Sequence, residues 1–333
     1  MTDEVRIGTL GCARITPMAL LRPARATDDA EVVAVAARDP ERARAFASKR
    51  GIPRVHDSYE ELLADPDIDA VYNPLPNSHH ATWTIKALEA GKHVMCEKPF
   101  ASNAAEAKMV AAAAETANRV VMEAFHWRYH PMAQRMIDIV AGGDLGEIRH
   151  VETTMCIPLP MRNDIRWKLD LAGGSQMDVG SYTTHMLRHL AGEEPEVVGA
   201  TAKEKSPGID RWMQATYRFP SGATGRTTAS MMSARLLDIR ARVVGSGGEL
   251  RALNPTAPQI GHRLSVRSGD HKRSERFERR HTYAFQLDAF VAAVRDGAPT
   301  LTPPSDSIAT MEVIDAVYEA SGLGVRPGLL TDG

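Results

Sequence analysis

Short apolar runs alternate with helix-length stretches through the first 124 residues, and nothing else in the chain restricts its fold as strongly. Residues 5–10, 31–37 and 70–73, the run around Val94, and residues 119–124 read as strands. Apolar positions recur at helical spacing over residues 15–25, 39–50, 59–63, 78–90 and 103–117. Gly91 follows the fourth of these stretches as a C-terminal cap. Strands joined only through helices cannot pair as hairpins. The expected fold class is therefore α/β, beginning with a doubly wound parallel sheet.

After residue 125 the texture changes. Residues 146–157, 197–203, 212–219, 223–230 and 237–244 read as strands without intervening helices, and Pro220-Ser221-Gly222 is a hairpin turn. This predicts an open, mainly antiparallel sheet. Helices over 283–295 and 305–321 close the chain, and the basic stretch 254–280, with its Pro and Gly, reads as a loop. The expected division is a dinucleotide-binding domain over 1–125 and a substrate-binding and oligomerisation domain over 126–333.

Composition removes several function classes. Of 333 residues, 40 are Lys or Arg and 42 are Asp or Glu, a net charge of −2, which argues against nucleic acid or an anionic membrane as the main partner. Cys12, Cys96 and Cys156 lie far apart, so neither a disulfide framework nor a metal site is expected. The acidic start Met1-Thr2-Asp3-Glu4 lacks the character of a signal peptide, and no apolar run approaches membrane-span length. A cytoplasmic location is the expectation.

The first strand and helix are joined by Gly8-Thr9-Leu10-Gly11-Cys12-Ala13-Arg14-Ile15-Thr16. A dinucleotide site needs a glycine for the tight turn, a small residue where the backbone approaches the pyrophosphate, and a third small residue for helix–strand packing. Here the pattern is Gly11-x-Ala13-x-x-Thr16; an ordinary glycine-containing turn is the alternative. At the end of the second strand, Ala37 stands where an acid usually holds the adenosine ribose, and Arg38 follows it. Without that carboxylate, and with an arginine that can grip a 2′-phosphate, NADP is preferred over NAD. The alternative is a solvated Arg38 beside a helix-capping Asp39. Further along, Glu97-Lys98-Pro99 ends a strand on the side of a parallel sheet where ligands bind, and proline restrains the lysine backbone.

Leu75-Pro76-Asn77-Ser78-His79-His80, then Ala87-Leu88-Glu89-Ala90-Gly91-Lys92-His93-Val94, then Glu97-Lys98-Pro99 form one ordered combination. It resembles the glucose–fructose oxidoreductase, inositol dehydrogenase and rhizopine-catabolism (Gfo/Idh/MocA) family. The resemblance implies an N-terminal Rossmann domain and a C-terminal α/β domain whose sheet often builds homodimers or homotetramers. It further implies an NAD(P)-dependent oxidoreductase acting on sugar, polyol or diol substrates, with Pro76, Asn77, His80, Glu97 and Lys98 at the cofactor.

A second constellation is Gly173-Gly174-Ser175-Gln176-Met177-Asp178-Val179-Gly180-Ser181-Tyr182. Asp178 and Tyr182 are four apart and share a helix face, while the glycines let backbone crowd a ligand. Asp-x-Gly-x-Tyr is similar to the subgroup of glucose–fructose oxidoreductase, dimeric dihydrodiol dehydrogenase and NADP-linked D-xylose dehydrogenase. That resemblance implies Tyr182 as acid/base, Lys98 as its electrostatic partner and Asp178 as an orienting group. The chemistry agrees: free tyrosine, with a pKa of about 10, is a poor base at neutral pH, and a nearby cation favours its phenolate. The plainer reading makes Tyr182 a helix residue and Asp178 a cap. His185 is the rival, as a proton relay or a substrate contact, although an ordinary helix residue is the commoner reading. His126, Trp127 and Arg128 suit a sugar-like ligand or interdomain packing, and Arg162, Asp164, Arg166 and Trp167 suit a substrate loop or polar surface. Two other functions fit the same architecture: glycoside cleavage assisted by bound NAD, and a non-catalytic sugar or redox sensor.

Overall fold

The computed structural model describes residues 4–161, 163–233 and 237–330. Two compact units emerge. The first holds residues 1–126, 283–307 and 329–333; the second holds 127–282 and 308–328.

The first unit is built on a six-stranded sheet: β1 (Val5–Leu10), β2 (Ala30–Ala36), β3 (Arg54–His56), β4 (Ala70–Asn73), β5 (His93–Cys96) and β6 (Val121–Glu123). All neighbours are parallel and the order is β3-β2-β1-β4-β5-β6. This is the doubly wound dinucleotide-binding arrangement, with its crevice at the carboxyl ends of β1 and β4. Helices cover both faces, so the central strands are mainly apolar: Ile7, Leu10, Val35, Val71 and Val94 are fully buried.

Side chains define the helix starts. Asp39 caps α2 (Pro40–Arg50) through Glu41 N and Arg42 N, and Ser58 caps α3 (Tyr59–Ala64). Asn103 caps α5 (Ala104–Ala117), while Glu106 reaches back to Ser102 N; each such cap stabilises its helix by about 1 kcal/mol. Between these helices, α4 (His80–Glu89) ends at Gly91, whose φ of +76° fits the expected cap.

The division into units departs from the expected boundary near the C-terminus, where residues 283–307 and 329–333 fall in the first unit. The helix Thr282–Asp296 belongs almost wholly to the first unit, because Leu287 and Phe290 bury there and Gln286 lies against Met95. Thr302 then exchanges two hydrogen bonds with the Glu123 backbone, at 2.7 and 3.1 Å.

The second unit holds an eight-stranded sheet: β7 (Ile148–Cys156), β8 (Glu196–Ser206), β9 (Ile209–Arg218), β10 (Thr224–Ser230), β11 (Asp238–Gly245), β12 (Gly248–Leu253), β13 (Arg263–Ser268) and β14 (His271–Glu275). Its order is β14-β13-β12-β11-β7-β10-β9-β8, antiparallel except between β7 and β10. One face packs on α7 (Ser181–Ala191), where Thr153 Oγ1 donates to Thr183 O at 2.8 Å. The basic stretch 254–280 corrects the sequence reading: it contains β13 and β14 rather than a continuous loop. The exposed Arg263, Arg267, Lys272 and Arg273 hide the strand pattern, and charge of this kind suits a sheet edge.

Candidate active site

The nucleotide-binding features lie in the first unit. Gly11 follows β1 with φ of +79°, and its N–H donates to Ala36 O at 2.6 Å. An added Cβ there would stand 3.1 Å from Leu75 Cδ2, so backbone conformation and space both call for glycine. Cys12, Ala13, Arg14 and Ile15 continue the turn into a π-helical segment Pro17–Leu21, which runs on into α1 (Arg22–Ala24). The hydroxyls of Thr9 and Thr16 are buried and have no hydrogen-bond partner among the described residues. Two orphaned hydroxyls beneath a tight glycine turn fit a diphosphate, which supplies acceptors where the protein supplies none. Gly8 serves packing instead. A Cβ there would lie 2.8 Å from Leu62 Cδ2, so its absence admits α3 against the sheet.

At the end of β2, Ala37 is buried and Arg38 exposed, while the Asp39 carboxylate is occupied at the start of α2. Arg42, one turn into α2, donates to Cys12 O at 3.1 Å, and Cys12 Sγ meets Arg42 O at 3.7 Å. This exchange ties the glycine turn to α2. Half-buried His79 has its pKa lowered by burial and by the charge of Arg38. The sequence reading did not single out Arg42, which binds the glycine turn, or His79, which feels the charge of Arg38. The available signal was a second cation one helical turn beyond Arg38.

His80, expected at the cofactor, is fully buried. Its Nδ1 lies 2.7 Å from Pro99 O and its Nε2 2.8 Å from Leu75 O, so the ring bridges two loops. Burial pushes its pKa down to about 4, so at neutral pH the ring is uncharged and donates to one carbonyl at a time. Pro76 and Asn77 remain partly exposed beyond the carboxyl end of β4. Glu97 is buried, accepts from Tyr72 Oη at 2.7 Å and receives Lys98 N at 3.3 Å. His80 and Glu97 thus fix the backbone on either side of Lys98, whose peptide to Pro99 is cis. Lys98 itself is partly exposed.

The segment expected to carry the acid/base lies in the second unit. A π-helical turn Gln176–Gly180 carries Asp178 and leads directly into α7, whose second residue is Tyr182. Buried Asp210 fixes this start, accepting Gln176 N at 2.7 Å and Tyr318 Oη at 2.9 Å. The glycine pair corrects the sequence reading, since protein rather than ligand crowds it. A Cβ on Gly173 would stand 2.5 Å from Arg166 O, and one on Gly174 would collide with Asp210 Oδ1 and lie 2.7 Å from Tyr318 Oη. With φ of +127° as well, Gly174→Ala is expected to cost roughly 3 kcal/mol, read as a lower Tm. An unchanged Tm would show that Asp210 yields freely.

The remaining expected substrate residues divide. Trp127 is fully buried and stands edge-on to His185, with ring centroids 5.5 Å apart. His185 is itself fully buried and packs 4.2 Å from His189. Arg128 is buried and donates to Gln134 at 3.0 Å, and His126 packs on Tyr283 at 4.1 Å. These contacts are interior packing. Trp167 donates its indole N–H to Met161 O at 3.0 Å, with Lys205 Nζ 4.1 Å from its ring centroid. Arg162 lies outside the described residues. Arg166 bridges Asp164, at 3.1 Å, and Asp178, at 2.9 Å.

Comparisons with known proteins agree with this architecture. The Gfo/Idh/MocA model for oxidoreductases with an NAD-binding Rossmann fold matches residues 5–125, and the family's C-terminal domain matches residues 133–251. The D-xylose 1-dehydrogenase (NADP(+)) 2 of Haloferax volcanii is 35% identical over 318 residues, 95% of this chain and 97% of that protein. The trans-1,2-dihydrobenzene-1,2-diol dehydrogenase of Sus scrofa is 33% identical over 227 residues, 68% of this chain and 67% of its own. A 3-ketoreductase from Actinomadura kijaniata, solved with NADP and TDP-benzene, superposes with a TM-score of 0.88 at 29% identity, covering 96% of this chain and 98% of that one. Its structure is also known with one tyrosine changed to phenylalanine and, separately, one lysine changed to alanine. The chain belongs to the Gfo/Idh/MocA family. It is an NAD(P)-dependent oxidoreductase of the dehydrogenase and reductase type.

Proposed function

We propose that this enzyme interconverts a secondary alcohol and a carbonyl on a neutral sugar, cyclitol or dihydrodiol, with NADP as preferred cofactor. Tyr182 is the acid/base, Lys98 its electrostatic partner, and Asp178 an orienting group. The observation that carries the reading is the seating of Tyr182. It begins a helix whose approach is pinned by a fully buried carboxylate, so the backbone that carries its buried ring is fixed. The altered tyrosine and lysine of the ketoreductase give support, because they stand the same number of residues apart as Tyr182 and Lys98 do here.

The bound nicotinamide supplies the hydride acceptor in oxidation and the hydride donor in reduction. The chain's own part is proton management and placement. In oxidation Tyr182 Oη takes the substrate hydroxyl proton, and in reduction it returns one to the carbonyl oxygen. A cation favours the phenolate that oxidation requires, which is the role given to Lys98. Asp178 is paired with Arg166, and so acts by orientation rather than as a base.

The open sheet face carries the ion pairs Glu152–Arg226, at 2.9 Å, and Glu249–Arg251, at 3.1 Å. We assign homodimer or homotetramer contacts to this face. The three cysteines are buried and form no disulfide, which suits a cytoplasmic setting, and no helix among the described residues is long and apolar enough to cross a membrane. The test is nicotinamide absorbance with NADP⁺ and a panel of D-xylose, D-glucose, myo-inositol and trans-1,2-dihydrobenzene-1,2-diol. Turnover of at least one is expected. Turnover of none, or turnover only without added nucleotide, would sink the reading.

A further inference from the structure

Arg166 is fixed at four points. Its N–H donates to Asp164 Oδ1 at 3.1 Å, and its carbonyl accepts from Gly174 N at 2.9 Å. Nη1 donates to Asp164 Oδ1 at 3.1 Å, and Nε meets Asp178 Oδ2 at 2.9 Å. Gly173 and Gly174 make this possible, since the Arg166 carbonyl occupies the space a side chain on Gly173 would need. The carboxylate of Asp178, and then that of Asp164, raises the guanidinium pKa, so its charge is constant.

One edge of this group stays open. The Asp164 side chain is 2% exposed and that of Asp178 14%, but the Arg166 side chain is 36% exposed. Nη2 has no protein partner among the described residues. An arginine recruited only to clamp the loop would do so equally well with its last N–H groups buried. Here a locked cation presents them outward, beside a carboxylate one helical turn ahead of Tyr182.

We infer that Arg166 is a substrate-positioning residue whose Nη2 edge donates to a second hydroxyl of the substrate, close to the one that reacts, and so selects neutral polyols over anionic sugars. The inference deepens the proposed function and rests on it. A hydroxyl oxygen can accept a single N–H and needs no compensating charge. A carboxylate or phosphate prefers two parallel donors, and the Nε and Nη1 atoms that would help supply them are already committed. The two carboxylates held against the guanidinium also disfavour a further anion at that edge.

The test is an enzyme–substrate cycle with NADP⁺: wild type and Arg166→Gln against D-xylose and D-glucose, their 2-deoxy and 3-deoxy forms, and D-glucuronate. Wild type is expected to lose about ten- to a hundred-fold in kcat/KM on one deoxy sugar, and to disfavour D-glucuronate. Arg166→Gln should lose a similar factor on the parent sugar, mostly in KM, and little more on that deoxy sugar. NADPH affinity should be unchanged. Arg166→Lys, which keeps the charge, serves if the glutamine variant does not fold, and should behave alike. Equal losses on every sugar would make Arg166 a loop clamp and overturn the inference, as would a wild-type preference for D-glucuronate; the proposed function would survive both. Failure of NADPH-binding wild type to turn over any of these sugars would remove the neutral-sugar reading and the inference with it.

Discussion

Tyr182→Phe is expected to reduce turnover by about a hundred- to ten-thousand-fold, the usual worth of a positioned acid/base, while NADPH still binds normally. The contrast follows from where the groups lie. The glycine turn, Arg38 and Arg42 all belong to the first unit, whereas Tyr182 belongs to the second. Stability should change by no more than about 1 kcal/mol, because only a hydroxyl is removed and the ring still fills its buried site. His185 is the competing proton carrier, but its ring is enclosed between Trp127 and His189, with no exposed surface. Steady-state kinetics on whichever alcohol is turned over, with fluorescence titration of NADPH, separates the two. Near-normal kcat in the phenylalanine variant would take Tyr182 out of the chemistry and bring His185 forward.

The sequence was readable where a local rule sufficed. Apolar runs buried on both faces marked β1, β2, β4 and β5, and Asp39, Asn103 and Gly91 marked helix ends. β3 escaped because Arg54, Val55 and His56 are only half buried and present no apolar run. β13 and β14 escaped because exposed Arg263, Arg267, Lys272 and Arg273 break up their apolar pattern, and of the two only β14 lies at the sheet edge. The return of residues 283–307 to the first unit depends on contacts with partners some 190 residues upstream, such as Gln286 with Met95. No periodicity records that.

The site shows the same division between local and distant causes. Gly11 needs glycine for its own backbone, so the motif could be read directly. Gly173 and Gly174 need it because of Arg166, Asp210 and Tyr318, and sequence alone misassigned the pressure to a ligand. His80 and Glu97 lie in the right motif, but they act on the Lys98 backbone.

Cofactor preference offers the second large effect, and two neighbouring arginines should give opposite patterns. Arg38→Ala is expected to weaken NADPH binding by about ten- to a hundred-fold, the loss of one charge-assisted contact to a 2′-phosphate, while NADH binding stays within about two-fold. Wild type should therefore bind NADPH more tightly, and more so at low salt, because Arg38 is exposed and its charge is screened as ionic strength rises. Arg42→Ala should weaken both nucleotides. Its guanidinium already holds Cys12 O, so removing it loosens the turn that any dinucleotide must approach. Ala37→Asp should push the other way, placing a carboxylate where it repels a 2′-phosphate and can accept from a free ribose hydroxyl. Parallel fluorescence titrations with both nucleotides, at low and high salt, read all four proteins. If Arg38→Ala weakened NADPH and NADH equally, Arg38 would be part of the general scaffold. If wild type bound NADH more tightly, the missing carboxylate at Ala37 would carry no information about the 2′ position, and the preference would have to lie elsewhere in the turn.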